Sequence, residues 1–228
     1  MDRDPRRRSR PILEAAAAGE ARVLFESEAA AILAAYGIPA ARSIRATDRN
    51  EAARAAAAIG FPVAVKAHGV AHKSDAGLVH LGVADEAGVR EAFDRITAGG
   101  TADRVIVQEM VAGGRELVVG MVRDQVFGPC VMFGLGGILT EVLGDVTFRR
   151  APLTPAGALE MLDDIRGRRI LDGVRGLPPA DRNRLAGVLT AVGRIGLDHD
   201  EIGEIDLNPV ILAGSRPVAA DALVVLGD

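Results

Sequence analysis

Apolar residues recur at helical spacing over residues 27–36, where Gly37 stops the pattern, and again over residues 48–59, where Gly60 stops it. Between them, residues 43–46 read as a short strand. After the second helix, residues 61–67 run apolar, with Lys66 as the first charge. Residues 68–77 have loop composition, residues 78–83 resume a strand, residues 85–98 predict a third helix and residues 105–110 a further strand. Val111-Ala112-Gly113-Gly114 reads as a hinge. Beyond it the pattern predicts a hairpin of residues 116–122 and 126–133 with its turn at Arg123-Asp124-Gln125. A helix follows with Thr154 as cap and Pro155 in its first turn, then another capped by Asp181 and running to Ile195. Two strands, residues 202–212 and 217–226, close the chain. Helices mixed with hairpins over 228 residues predict an α+β protein of two lobes, residues 11–110 and 111–228. Residues 1–10, with five arginines and no apolar period, are expected to form a disordered basic arm.

Composition narrows the function. Hydrophobic residues make up 49% of the chain but aromatics only 3%, so the cores must be built from Ala, Val, Leu and Ile. A net charge of -4 provides no general basic field for nucleic acid or an anionic membrane. Cys130, alone and in an apolar setting, predicts a buried thiol in a reducing compartment. Glu14 and Glu20 break up the Ala-rich N-terminal stretch, so no signal-peptide core forms, and the uncharged run of residues 126–140 is too short and glycine-rich to span a membrane. A soluble, cytoplasmic protein is expected.

Among 27 basic residues only Lys66 and Lys73 are lysines, and they lie seven residues apart beside His68, His72 and His80. A compact, rotatable ammonium retained in an otherwise arginine-based chain points to phosphate chemistry. Lys66 ends a strand and Lys73 rides the loop after it. That loop is no Walker A motif, since no glycine precedes Lys73-Ser74 at the required place, yet Ser74 and Gly77 suit the lining of a phosphate channel. Nothing joins the three histidines into a zinc site. His72 fits a nucleophile or base beside phosphate with Lys73 holding the charge, and fits equally an ordinary loop histidine. Gly134-Leu135-Gly136-Gly137 lacks the spacing of a dinucleotide fingerprint and is read as a flexible loop whose glycines let a backbone approach phosphate or simply make a tight turn.

Near the C-terminus, strand alternation puts Glu204, Asp206 and Asn208 on one face and Ile205 and Leu207 on the other. If residues 213–216 form the hairpin loop, Leu212 pairs with Pro217 and Asn208 falls opposite Asp221. Opposed residues have Cβ atoms about 4.5–5.5 Å apart, within reach of one shared cation. Asp206, Asn208 and Asp221 are therefore candidate Mg2+ ligands: few protein oxygens, with room for water and substrate phosphates. The same residues also suit a strand that merely exposes polar side chains.

Taken together, these motifs resemble the ATP-grasp subunit of the ADP-forming acyl-CoA synthetases, relatives of the succinyl-CoA synthetase β-subunit. The resemblance runs from Pro11 to Asp228 through Tyr36-Gly37-Ile38-Pro39, Lys66, His72-Lys73-Ser74-Asp75-Ala76-Gly77, Gly114-Arg115-Glu116-Leu117, Phe133-Gly134-Leu135-Gly136-Gly137 with Glu141 and Asp145, and Asp206-Leu207-Asn208-Pro209. It implies the ATP-grasp fold, with ATP or ADP held between two α+β lobes. By the same resemblance Lys66 contacts the phosphates, the backbone of Glu109, Met110 and Val111 lines the adenine, and Glu116 faces the ribose or phosphates. Asn208 and Asp221 hold Mg2+, and His72 accepts a phosphoryl group. The implied reaction converts acyl-CoA, ADP and phosphate to acid, CoA and ATP. The CoA site and the main phosphohistidine would lie on a partner α-type subunit, making a hetero-oligomer. A regulatory nucleotide-binding module and a carboxylate ligase that does not use CoA are the alternatives.

Overall fold

The computed structural model describes residues 4–19, 22–70, 73, 77–137, 143–173 and 176–227. In chain order the elements are α1 (Pro5–Ala17), β1 (Val23–Leu24), α2 (Glu26–Ala35), β2 (Ser43–Ala46), α3 (Arg49–Ile59), β3 (Val63–Ala67), β4 (Val79–Val83), α4 (Glu86–Ala98) and β5 (Val105–Glu109). They continue with β6 (Glu116–Asp124), β7 (Gly128–Leu135), β8 (Val146–Arg150), α5 (Pro155–Asp164), α6 (Arg182–Asp198), β9 (Ile202–Ala213), β10 (Arg216–Ala219) and β11 (Leu223–Leu226). Two compact units result. One comprises Met1–Leu24, Glu28–Ala40 and Val111–Asp228, the other Phe25–Ser27 and Ala41–Met110. The expected boundary at residue 110 is an edge of these units, but residues 11–24 and 28–40, expected in the first lobe, belong with the second. Their apolar residues Ile32, Leu33 and Ile38 sit in the same core as Leu117, Phe133 and Leu189.

The smaller unit is a four-stranded antiparallel sheet in the order β2-β5-β3-β4. Its core sets Ala52, Ala55 and Ala56 of α3 and Val89, Ala92, Phe93 and Ile96 of α4 against Val63, Val65, Ala67, Val105 and Val107. Alanines on α3 permit the close approach of helix to sheet and to α4 that a core poor in aromatics requires. Asp48 caps α3 by accepting from the backbone of Asn50 and Glu51, and Asp85 caps α4 from Gly88. Strand alternation leaves Ala64, Lys66, Ile106 and Gln108 on the face of the sheet away from both helices.

The larger unit is built on a seven-stranded sheet, β1-β11-β9-β6-β7-β8, with β10 also paired to β9. One face, bearing Leu117, Val119, Met121, Val131, Phe133, Ile205 and Leu207, is covered by apolar residues of α5 and α6. The β6–β7 turn falls at residues 125–127, slightly later than expected, because the Asp124 carboxylate accepts from the amides of Val126 and Phe127 and closes the turn there. Cys130, expected buried, is half-buried on β7.

The disordered arm is corrected: residues 5–17 are helical. Asp4 caps α1 through the amide of Arg6, with Pro5 in the first turn. Leu13 is fully buried, and Ser9 Oγ meets His199 Nε2 at 2.8 Å. Tyr36 Oη also meets that nitrogen, at 3.0 Å, while donating to Asp198 Oδ2 at 3.1 Å. Arginine content hid the helix because one buried serine and one leucine, not a full apolar stripe, hold it down. Burial, the largest influence, pushes the His199 pKa below its ordinary 6.5 despite the opposing charges of Glu201 and Asp198. The unfolded chain therefore takes up a proton that the folded ring resists, so stability is full above about pH 6.5 and declines below it. Denaturation midpoints are expected to fall between pH 7.5 and 5.5, and His199→Gln to flatten that dependence.

Candidate functional site

In the larger unit the C-terminal register matches expectation. Pro217 pairs with Leu212 and Ala219 with Val210 on one side, Leu223 with Asp206 and Val224 with Ile205 on the other. Both sets share one frame, and counting inward from either places Asn208 opposite Asp221. Simple alternation breaks at this level. Ile205 and Leu207 are buried, but the next core residues of β9 are Val210 and Leu212, so Asn208 and Pro209 together form a step outside the core. The pairing of β9 with β6 shifts at the same point, between the pairs Leu117 with Val210 and Val119 with Leu207. Such a bulge redirects a side chain, and Pro209, lacking an N–H, suits it. The opposite strand answers with two adjacent buried alanines, Ala219 and Ala220, before half-buried Asp221. Asp221 Oδ1 accepts from the amide of Ala222 at 3.0 Å, which fixes its rotamer.

Glu116, Gly136 and Gly137 also come together. The amide of Gly136 donates to the Glu116 carbonyl at 2.9 Å. A Cβ on Gly136 would meet the backbone of Leu117 at 2.6–2.7 Å, and one on Gly137, whose φ is +61°, would strike the Glu116 carboxylate. The described part of the glycine loop is thus pressed onto β6 rather than flexible, and close backbone approach accounts for its glycines. Residues 138–142, including Glu141, lie outside the described residues. Asp145 anchors the chain beyond them: its two oxygens accept from the amides of Arg166 and Gly167 at 2.8 and 2.6 Å. Burial raises its pKa, but those hydrogen bonds outweigh burial and leave it below the usual carboxylate range.

Arg115, within Gly114-Arg115-Glu116-Leu117, has a positioning part that its local sequence does not announce. Its buried guanidinium donates to the carbonyls of Ile170, Asp172, Pro178 and Gly214 at 2.7–3.1 Å. It pins the start of β6, and so Glu116, to two loops. Gly113 in the expected hinge is held against Leu212, where a Cβ would come within 2.5 Å of the carbonyl oxygen. Val111 belongs to this unit.

In the smaller unit Lys66 is only 7% exposed, on the central strand between Ile106 and Val79. Glu109 is occupied at both ends: its amide donates to the Arg42 carbonyl, and its carboxylate accepts from the Arg42 amide, both at 2.9 Å. Met110 follows it at the edge of the unit and is exposed. Lys73 is not at an open surface. Its ammonium is ion-paired with buried Glu26, and His68 Nδ1 lies 3.9 Å from the other oxygen of that carboxylate. Gly77 has φ +67° in the turn that leads into β4. His72 and Ser74 lie outside the described residues. Nothing in the sequence singles out Glu26, because its partner is 47 residues away.

Asp206, Asn208 and Asp221 fit a magnesium ion by donor chemistry: all offer hard oxygens, and two carboxylates with one amide leave coordination positions for water and phosphate. Among the described residues no cluster of three or more His, Cys, Asp or Glu could form a self-sufficient metal cage. Nor is any helix there long and apolar enough to cross a membrane.

Comparison with known proteins gives a consistent picture. The family model for the ATP-grasp domain matches residues 15–226. The β subunit of ADP-forming acetate–CoA ligase I from Pyrococcus furiosus is 42% identical, over 96% of this chain and 98% of that protein. ADP-forming acetate–CoA ligase I from Archaeoglobus fulgidus is 43% identical over 89% of this chain, which spans 31% of that longer protein. Acetyl-coenzyme A synthetase 1 of Ca. Korarchaeum cryptofilum has been solved with coenzyme A and Mg-AMPPCP, its phosphohistidine segment pointing towards the nucleotide binding site. It superimposes with a TM-score of 0.85 at 38% identity, covering 96% of this chain and all of that one.

Proposed function

We propose, from the premise that the chain belongs to the ATP-grasp domain family and within it to the β subunits of ADP-forming acetate–CoA ligases, that it transfers a phosphoryl group between a phosphohistidine and magnesium-bound ADP. The phosphorus–nitrogen bond of the phosphohistidine breaks as a phosphorus–oxygen bond to the terminal phosphate of ADP forms, yielding ATP; the reverse direction phosphorylates the histidine. With a CoA-binding α-type partner that supplies the acyl-phosphate chemistry, the sum is acyl-CoA, ADP and phosphate to acid, CoA and ATP. The partner makes the working enzyme a hetero-oligomer.

The observation that supports this reading is the common register of the strand pairs on either side, which by counting sets Asn208 opposite Asp221, beside Asp206. When bound there, magnesium would neutralise phosphate charge that the protein alone leaves unbalanced. Asp206, Asn208 and Asp221 would hold it, and Lys66 would bind the phosphates with a point charge held in one place by its strand. Glu116 and the backbone of Glu109, Met110 and Val111 would orient the ribose and base. Ser74, Gly77, Gly136 and Gly137 would border the phosphates, and His72 would accept the phosphoryl group on this chain. Such transfer is catalysed mainly by positioning and charge neutralisation, which this set of residues supplies.

ATP formation from acetyl-CoA, ADP and phosphate, measured with the co-expressed CoA-binding partner, tests the reading. Turnover requiring both chains is expected, and His72→Ala should remove nearly all of it. A pair that binds Mg-ATP yet forms no ATP from any acyl-CoA would make this a nucleotide-binding module instead.

A further inference from the structure

We infer that Glu26 is a positioning residue for the loop after β3, acting through Lys73, and that the Lys73 ammonium serves this anchor rather than the nucleotide phosphates. The inference rests on the phosphoryl-transfer reading above only for its functional consequence. The Glu26 side chain is 2% exposed and that of Lys73 8%, so both charges lie out of water, in an ion pair. Burial pushes the Glu26 carboxyl up, but the Lys73 ammonium beside it holds it below the usual carboxylate range. At 3.9 Å the His68 Nδ1 is too far for a full hydrogen bond to Glu26 Oε2, and both atoms are buried without a hydrogen-bond partner. Phe25 lies edge-on to the same ring, with centroids 6.1 Å apart. A phosphate that drew the Lys73 ammonium away would strand the Glu26 carboxylate in this enclosure, and an uncompensated buried charge is strongly unfavourable.

The backbone agrees. The Lys73 carbonyl accepts from the amide of Leu78 at 2.9 Å, the Leu78 carbonyl from Ala67 at 3.0 Å, and His68 donates to the Arg104 carbonyl at 3.1 Å. Lys73 is therefore fixed through both main chain and side chain. The residue before it in sequence is His72, whose Cα can lie only about 3.8 Å from that of Lys73. The anchor is thus covalently next to the proposed phosphoryl acceptor. Two roles separate the two lysines: Lys66 meets the nucleotide and Lys73 secures the loop.

Because the chain has only these two lysines, acylation of the intact protein by an amine-reactive ester, mapped by mass spectrometry, reads each one directly. Mg-ATP is expected to slow acylation of Lys66 at least fivefold and to leave Lys73 within twofold. Glu26→Gln is expected to speed Lys73 acylation at least tenfold, leave Mg-ATP affinity within threefold, and slow phosphorylation of the chain at least tenfold; Glu26→Asp, which keeps the charge, should restore part of that rate. Shielding of Lys73 by Mg-ATP, or slow Lys73 acylation in Glu26→Gln, would overturn the inference. Should Glu26→Gln fail to fold, shielding in the wild-type protein decides alone. Failure of Mg-ATP to shield Lys66 would count against the nucleotide reading instead, and Lys73 acylation in Glu26→Gln would still decide the anchor.

Discussion

Asp221→Ala is expected to slow phosphoryl transfer by about 10²–10³-fold, the usual cost of removing one preorganised charge-stabilising group from a reacting centre. The geometry explains why Asp221 should matter more than its surroundings suggest. It is the only charged residue of residues 217–227, placed where the strand crosses from β10 to β11 and opposite Asn208. Its Oδ1 accepts from the Ala222 amide at 3.0 Å, which restricts its rotamer. Folding should change little, because Asp221 is half-buried and the flanking Ala220 and Ala222 supply the packing. Asp221→Asn should fall between, keeping an oxygen but losing the charge. A larger loss at low than at high magnesium, measured in the same assay, would tie the effect to the metal.

Lys66→Met is expected to weaken Mg-ATP binding at least tenfold, about 1.4 kcal/mol, and to slow transfer by a further factor of about 10². Lys66→Arg should also impair both, despite keeping the charge. The side chain is 7% exposed on the middle strand of a sheet, sharing a face with Ala64, Ile106 and Gln108. A planar guanidinium fork is bulkier than an ammonium on a slim stem and cannot rotate its donors independently, so on this buried face it is expected to be misplaced. Calorimetric titration of each variant with Mg-ATP checks the binding loss. Equal affinity in wild type and Lys66→Met would remove Lys66 from the site.

Much of this was legible because local rules govern it. Helix ends at Thr154 and Asp181 followed from capping chemistry, and each side chain accepts an amide of its first turn; Asp48 and Asp85, where apolar periodicity began two other helices, prove to be their caps. The pairing of Leu212 with Pro217 followed from the hairpin, and with it the register in which Asn208 counts opposite Asp221. Features set by distant packing were not legible. Ser9 reaches His199 across 190 positions, and with it the N-terminal segment becomes a helix instead of an arm. Glu26 claims Lys73 from 47 positions away, which moves a lysine that looked like a phosphate ligand into a buried pair. The step at Asn208 and Pro209 breaks strict alternation, which strand periodicity has no means to represent. The glycines at 134–137 were readable as permissive, but not as pressed against Leu117 and Glu116.

The most direct test of the central claim is whether the chain itself carries phosphate. The chain, with the proposed CoA-binding partner, is incubated with Mg2+ and ATP labelled in the γ-phosphate, and the label on this chain is followed. The account predicts label that is acid-labile and alkali-stable, as phosphohistidine is, that is chased into ATP by unlabelled ADP, and that is lost without Mg2+ and in His72→Ala. A chain that takes no label while binding Mg-ATP, or one whose label survives His72→Ala, would contradict it.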